Sequence, residues 1–272
     1  MYPFIEILGK SYSTYSLMAA LGLLVSGLVV FLLVRKKGIF FEDVAMTGLF
    51  LAIGLFIGSH IVYGLTNADK IVVLFQHISE YTFLDFMKTL FGTYMGGMVF
   101  YGGLIGGIIA LLIADKFAKK YFKGDIMFDA VAVVIPLFHT FGRIGCFLGG
   151  CCYGVACEFG VTFHGNTLYP EVNDVNRLPI QLIEAGCNLI LFFILLVLYK
   201  KQKFPRRLLI VYFFMYPVVR FIDEFFRGDE IRGFLFGLST SQIISILLFV
   251  FAIVFTVIDL TKKKTNAGRP VQ

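Results

Sequence analysis

Seven stretches of this 272-residue chain are long and apolar enough to cross a bilayer, at about 15–34, 44–65, 91–114, 126–148, 180–199, 208–223 and 240–260. A helix needs roughly 20 apolar residues to span about 30 Å of hydrocarbon. Inside lipid, each backbone N–H and C=O has to be satisfied within its own segment, which leaves helices as the structure for such runs. The expected fold is therefore all-α: a polytopic membrane helical bundle of seven transmembrane helices. With 58% hydrophobic and 15% charged residues, the composition excludes a soluble enzyme of this length.

The basic residues orient the spans, because Lys and Arg are retained in short cytoplasmic loops. Arg35, Lys36 and Lys37 follow the first run and Lys116, Lys119, Lys120 and Lys123 the third. Lys200, Lys201, Lys203, Arg206 and Arg207 follow the fifth, and Lys262, Lys263, Lys264 and Arg269 the seventh. Alternate ends of the spans thus carry most of the positive charge, which places the N-terminus outside and the C-terminus in the cytoplasm. Membrane lipids, anionic ones beside the basic loops, account for much of the net charge of +6. Nucleic acid is not an expected partner. The first run is followed by its positive cluster and lacks a small-x-small cleavage pattern, so it reads as a retained span. No linker, low-complexity tract or repeat divides the chain, and residues 1–272 are expected to form a single integral membrane domain.

Two outward segments are long. Residues 67–90 interleave Ile71, Leu74, Phe75, Phe83 and Phe86 with Asp69, Lys70, Glu80, Asp85 and Lys88. That pattern suits a helix lying in the outer interface, or a plain surface cover. Residues 149–179 are rich in Gly, Asn and Pro and contain a strand-like piece at Gly160-Val-Thr-Phe163, which predicts a small extracytoplasmic cap.

Against this apolar background, Arg143 stands out at the end of the fourth run. A charge at the centre of a bilayer helix costs about 2.5–3.5 kcal/mol, so it is retained for a purpose, and gripping an anion is the natural one. The topology places Tyr15, Arg143, Gln181, Glu184, Arg220, Glu224 and Gln242 near outward helix ends, with Tyr101 deeper in the membrane. Snorkelling and capping explain any one of them. The whole set can converge on one outer-leaflet cavity. Arg220 and Glu224 are four residues apart and share a helical face, so the carboxylate can aim the guanidinium or form an ordinary ion pair; Arg227 can extend the pair. Gln181 and Glu184 are one turn apart and can support a headgroup or pack the cap.

Several motifs occur in order: Tyr15-Ser-Leu-Met18, Tyr101-Gly-Gly-Leu-Ile-Gly106, Gly142-Arg-Ile-Gly145 with Phe147 and Gly154, Arg177-Leu-Pro-Ile-Gln-Leu-Ile-Glu184, Arg220-Phe-Ile-Asp-Glu-Phe-Phe-Arg227 with Asp229, and Leu238-Ser-Thr-Ser-Gln-Ile-Ile-Ser245. Together they resemble the prolipoprotein diacylglyceryl transferases over most of the chain. The resemblance implies a bacterial cytoplasmic (inner) membrane enzyme. Its reaction transfers the diacylglyceryl group of phosphatidylglycerol to the lipobox cysteine in the signal peptide of a prolipoprotein, forming a thioether and releasing glycerol phosphate. It implies no cofactor, and the chain has no nucleotide-binding loop and no haem or flavin motif. Such chemistry needs cations on the phosphodiester, for which arginine's planar fork is suited. Arg143 and Arg220 are the candidates, with Tyr101 and Glu224 completing the catalytic set. Tyr15, Gly142, Gly145, Cys146, Gly154, Gln181, Glu184, Arg227 and Gln242 are expected to contact substrate.

The chain also departs from that family's pattern. Tyr101 replaces a histidine, Cys146 an asparagine, Cys151 a glutamate and Leu178 a histidine. Tyrosine, with a reference pKa near 10, is a poor base; His139, one turn before Arg143, is either an alternative proton acceptor or structural. These losses keep open a divergent transferase with another acceptor, or a non-enzymatic lipid- or anion-binding or transport protein. Cys146, Cys151, Cys152 and Cys157 can form two disulfides, bind zinc or remain reactive thiols. Gly96, Gly97, Gly102, Gly103, Gly106 and Gly107 predict close helix packing in the third span.

Overall fold

The computed structural model describes residues 2–7, 9–97, 99–117, 124–229, 234–235 and 237–267. Lys119, Lys120, Lys123, Arg232 and Arg269 lie outside them. The chain forms two compact units, Met1–Val30 with Phe128–Gln272, and Phe31–Met127.

Each of the seven apolar runs carries a helix: α1 (Thr14–Val34), α2 (Phe41–Thr66), α5 (Phe100–Phe117), α6 (Gly124–Gly149), α7 (Ile180–Lys200), α8 (Leu208–Asp223) and α9 (Thr240–Ala267). Two short helices, α3 (Ala68–Gln76) and α4 (Phe83–Met87), lie between α2 and α5. Among the described residues, five helices are long and apolar enough to cross a membrane, those based on α1, α2, α6, α7 and α9. Helices α5 and α8 are shorter, at 18 and 16 residues. The third run starts later than its composition predicts. Residues Lys88–Tyr94 wind into a π-helix, closed by Met95 N–H donating to the Leu90 carbonyl at 2.8 Å. At Gly97 the backbone then lies against the Tyr63 ring, where a Cβ would collide.

Residues 67–90 do not make one continuous amphipathic helix. Between α3 and α4 the chain turns through a short 3-10 segment, Ile78–Glu80, and Thr82 restarts it by accepting the Asp85 N–H at 3.3 Å. The pieces still leave Val72, Val73, Phe75, Phe83 and Leu84 exposed. In the same unit, α2 and α5 approach through Gly54 and Gly58 against Gly102 and Gly106. A Cβ on any of the four would run into the facing backbone, the small-xxx-small contact that lets helices meet without a solvent-driven force.

The other unit holds the polar residues singled out above except Tyr101, which belongs to α5. At the base of α6, the buried Asp129 accepts the Arg206 N–H at 2.6 Å and the Leu208 N–H at 3.2 Å. It supplies from a neighbouring helix the carboxylate that the first turn of α8 lacks in its own sequence. One turn before Arg143, Thr140 Oγ1 lies 2.9 Å from the Pro136 carbonyl and 3.3 Å from that of Ala185, fixing α6 against α7 beside Glu184.

Among the described residues, strands are few, short and paired antiparallel. They are β1 (Phe4–Ile7) with β2 (Lys10–Ser13), β3 (Ala156–Thr162) with β4 (Asn176–Arg177), and β5 (Phe234–Leu235) with β6 (Leu238–Ser239). The first hairpin, which reverses at Gly9 (φ +74°), lies just before the first run and was not expected. The β3–β4 pair falls inside the 149–179 segment, which packs Tyr153, Phe163 and Val172 into a small core. Asn166 ties that segment down: its Oδ1 accepts the Leu168 and Tyr169 N–H groups, while its Nδ2 donates to the Gly149 carbonyl at 3.1 Å.

Replacing Asp129 with alanine should lower stability by about 0.5–2 kcal/mol, the usual effect of losing a helix cap. Thermal unfolding in detergent measures it; an unchanged midpoint would show that the α8 N–H groups find other partners.

Candidate active site

Three helix ends supply the charged cluster. Arg143 from the last turns of α6, Glu184 from the first turns of α7, Arg220 from the last turn of α8 and Glu224 just beyond it are each at most 6% exposed. Glu184 is central. Its Oε2 lies 2.9 Å from Arg143 Nη2 and 3.6 Å from Arg220 Nη1, so one carboxylate is common to both guanidinium groups. The Arg143 contact is close but too far off-line to be a hydrogen bond, and Arg143 Nε and Arg220 Nη1 make no hydrogen bond to described residues. Both arginines thus keep donor capacity at the point where they meet.

The other Glu184 oxygen, Oε1, is 3.6 Å from His139 Nε2 and 3.5 Å from the Tyr216 hydroxyl, whose ring lies 5.1 Å from the imidazole. Arg220 is aimed twice more, by Glu224 Oε2 at 2.6 Å and by donating to Ser241 Oγ at 2.9 Å. The i,i+4 spacing puts Arg220 and Glu224 on one face, as expected, although Glu224 sits in the 3-10 turn that ends α8. Arg227 is 3.8 Å from the same Glu224 oxygen and binds Asp229 through Nε and Nη2 at 2.9 and 2.5 Å. Burial works against the Arg227 charge. The hydrogen bonds that Arg227 donates to Asp229, together with the attraction of Cys152 and of the Asp229 charge, more than offset that, holding the guanidinium above its ordinary value.

The chain crosses this cluster at Gly154. A Cβ there would strike the Leu178 backbone, and one on Gly228 would strike Gly154. Gly154 is therefore a packing position, locked by Leu178 N–H to the Val155 carbonyl and Gly228 N–H to the Tyr153 carbonyl, both 2.9 Å. Gly145 is tight for a similar reason, since a Cβ would come within 3.2 Å of the Tyr15 ring. Tyr15, half exposed at the start of α1, lies within electrostatic reach of Arg143. Gly142 has no close neighbour. Gln181 donates to the Cys151 carbonyl at 2.8 Å. Gln242 forms a capping box at the start of α9, exchanging hydrogen bonds with Ser239 at 3.0 and 3.2 Å. The side chain of Tyr101, in α5, lies outside the described residues.

The cysteines are not paired: all five are free thiols. Helix α6 ends in a Schellman turn, with Gly150 (φ +81°) donating to the Phe147 carbonyl at 3.3 Å and Cys151 to that of Cys146 at 3.2 Å. The turn folds the chain back, and the Sγ atoms of Cys146, Cys151 and Cys152 all come within 4.8 Å of one another. Cys152 is held in the left-handed region at φ 55°. Its thiol is drawn well below the ordinary range by hydrogen bonds with Cys146 and Cys151, and the Arg227 and Arg143 guanidinium groups add to the effect.

Tyr216 and Ser241 are the contributors that spacing alone did not single out. Tyr216 lies one turn before Arg220, which is the only local signal it offered. Replacing Glu184 with glutamine should leave the buried Arg143 without its carboxylate, while Arg220 keeps Glu224. Loss of one partner of a buried pair costs about 3–5 kcal/mol, so thermal unfolding should shift down by many degrees; an unshifted midpoint would mean that Arg143 is held by other groups.

A sequence model described as prolipoprotein diacylglyceryl transferase matches residues 3–258. The chain is 31% identical over 261 residues to the phosphatidylglycerol–prolipoprotein diacylglyceryl transferase of Clostridium tetani, covering 95% of this chain and 98% of that one. It is 32% identical over 271 residues to the Campylobacter jejuni protein of the same name, covering 96% and 94%. It is 28% identical over 265 residues to the transferase numbered 2 in Clostridium perfringens, with 97% of each chain covered. Matches of this length, joined to a buried arginine pair on apolar helices, settle the relationship: the chain belongs to the prolipoprotein diacylglyceryl transferase family.

Proposed function

We propose that this protein transfers the diacylglyceryl group of phosphatidylglycerol to the cysteine thiol of a prolipoprotein lipobox. The observation that carries the reading is the meeting of Arg143 and Arg220 at one Glu184 oxygen, at 2.9 and 3.6 Å, each with donors left for an anion. In this reaction the thiol sulfur attacks the glycerol carbon of the lipid, the S–C bond forms, the C–O bond breaks, and glycerol phosphate departs with the electron pair. Negative charge grows on the leaving phosphate. Two preorganised guanidinium groups in a water-poor site favour that state over the ground state.

The remaining residues have supporting parts in this scheme. Glu184 and Glu224 aim the arginines and keep them affordable in an apolar setting. Arg227 extends the positive surface, while Tyr15, Gly142 and Gly145 border the headgroup. Gln181 holds the Cys151 turn, and Gly154 and Gln242 hold the surrounding backbone. Tyr101 contributes a hydroxyl by its place in the motif. The scaffold in this reading is one integral domain of seven spans in the inner membrane, with α5 and α8 as the shorter two, the N-terminus outside and the C-terminus cytoplasmic. Alternation of the basic loops supports that orientation. Residues 149–179 then form an extracytoplasmic cap over the arginines.

Purified protein, given phosphatidylglycerol and a lipobox peptide, should yield a thioether-lipidated peptide and glycerol phosphate. Arg143→Ala or Arg220→Ala should slow transfer by about 10²–10³, the loss typical of one preorganised charge-stabilising donor. Lysine at either site should restore little, lacking the fork. Normal turnover in either alanine variant would refute the assignment. No product from a well-folded wild-type protein would favour a lipid-binding or transport role.

A further inference from the structure

The reading above leaves the source of the thiolate open. A free cysteine is only a few per cent ionised at pH 7, and Glu184 and Glu224 are both engaged with arginines. The Schellman turn at the end of α6 puts three sulfur atoms within 4.8 Å of one another, and among the described residues no fourth His, Cys, Asp or Glu ligand atom joins them. Zinc–thiolate bonds of about 2.3 Å in a tetrahedral set separate the sulfurs by roughly 3.8 Å. The three thiols are therefore a small side-chain adjustment away from a metal set. Cys146 is buried while Cys151 and Cys152 are partly exposed, so a fourth ligand has a side from which to approach. Three protein ligands with one open position is the arrangement of a catalytic zinc, whereas a structural zinc is closed by four.

We propose that Cys146, Cys151 and Cys152 bind one zinc ion whose fourth position takes the acceptor cysteine of the lipobox as its thiolate. This inference rests on the transferase reading. A thiol that coordinates zinc is deprotonated outright, with its proton passing to water. The bound sulfur then attacks the glycerol carbon, glycerol phosphate leaves, and the weakly held thioether is exchanged for the next thiol; zinc stays divalent throughout. Location favours the scheme. Cys146 lies one helical turn beyond Arg143, and Cys152 is within electrostatic reach of both Arg227 and Arg143. The arginines offset the negative charge of a four-thiolate zinc and set the phosphate clamp beside the nucleophile. Cys146 and Cys151 also stand where asparagine and glutamate were expected, so the two departures meet at one metal.

The test uses the full chain, purified with reductant in detergent. It should carry one zinc per chain, retained in Cys157→Ser and lost in Cys152→Ser. Cobalt(II) loaded in place of zinc should give a sulfur-to-cobalt charge-transfer band that changes on adding a lipobox peptide and does not change with the cysteine-to-serine peptide. Removing the metal should slow transfer at pH 7 on the order of 30-fold, the factor set by a thiol of pKa about 8.5, and the lost rate should return as pH rises. Metal-free protein that transfers at full rate would overturn the metal role and leave the transferase reading standing. A peptide-sensitive cobalt band with no lipidated product would do the reverse. Wild-type protein that holds no zinc when purified with reductant and without chelator would overturn the site itself.

Discussion

Two guanidinium groups buried on apolar helices share one carboxylate, and the architecture around them follows from keeping that arrangement in place. Glu184 reaches Arg143 on α6 and Arg220 at the end of α8. An unpaired charge in so apolar a setting is very unfavourable, so each arginine requires its partner, and the three helices have to meet at one level. Thr140 sets α6 against α7 a turn below. Asp129 sets the start of α8 against the start of α6. The polar cluster is thus suspended between backbone fixtures that themselves carry no chemistry.

Pairing does not exhaust the arginines. Five donors on each guanidinium meet a few carboxylate oxygens and one serine, and the donors left over are those nearest the point of convergence. That gives the site its asymmetry: stable without ligand, yet able to accept an anion with two forks at once. Preorganisation of this kind is how a water-poor pocket stabilises a leaving group without reorganising during the reaction.

Much of this was legible from residue spacing. Apolar runs announced the helices because lipid admits few alternatives, and Arg220–Glu224 announced its pairing through the i,i+4 geometry. What escaped was whatever depends on conformation at helix ends. The Tyr15 helix is preceded by a hairpin turning at Gly9, a residue whose left-handed φ composition alone does not reveal. Helix α5 begins late in the third apolar run because a π-helix and close backbone packing at Gly97 intervene. Gln242, expected to contact substrate, also shows the Ser-x-x-Gln spacing of a capping box, and the structure uses it as one. The gathering of Cys146, Cys151 and Cys152 needed the Schellman turn, so their spacing of five and one hid their proximity.

The central claim is that Arg143 and Arg220 act as one anion clamp through Glu184, and a double-mutant cycle measures that directly. Transfer rates of Arg143→Lys, Arg220→Lys and the double variant should be strongly non-additive, with a coupling of about 1.4 kcal/mol or more, a tenfold departure from the product of the single effects. Effects that simply multiply would mean that the two arginines work independently and that their meeting at Glu184 has no part in the chemistry.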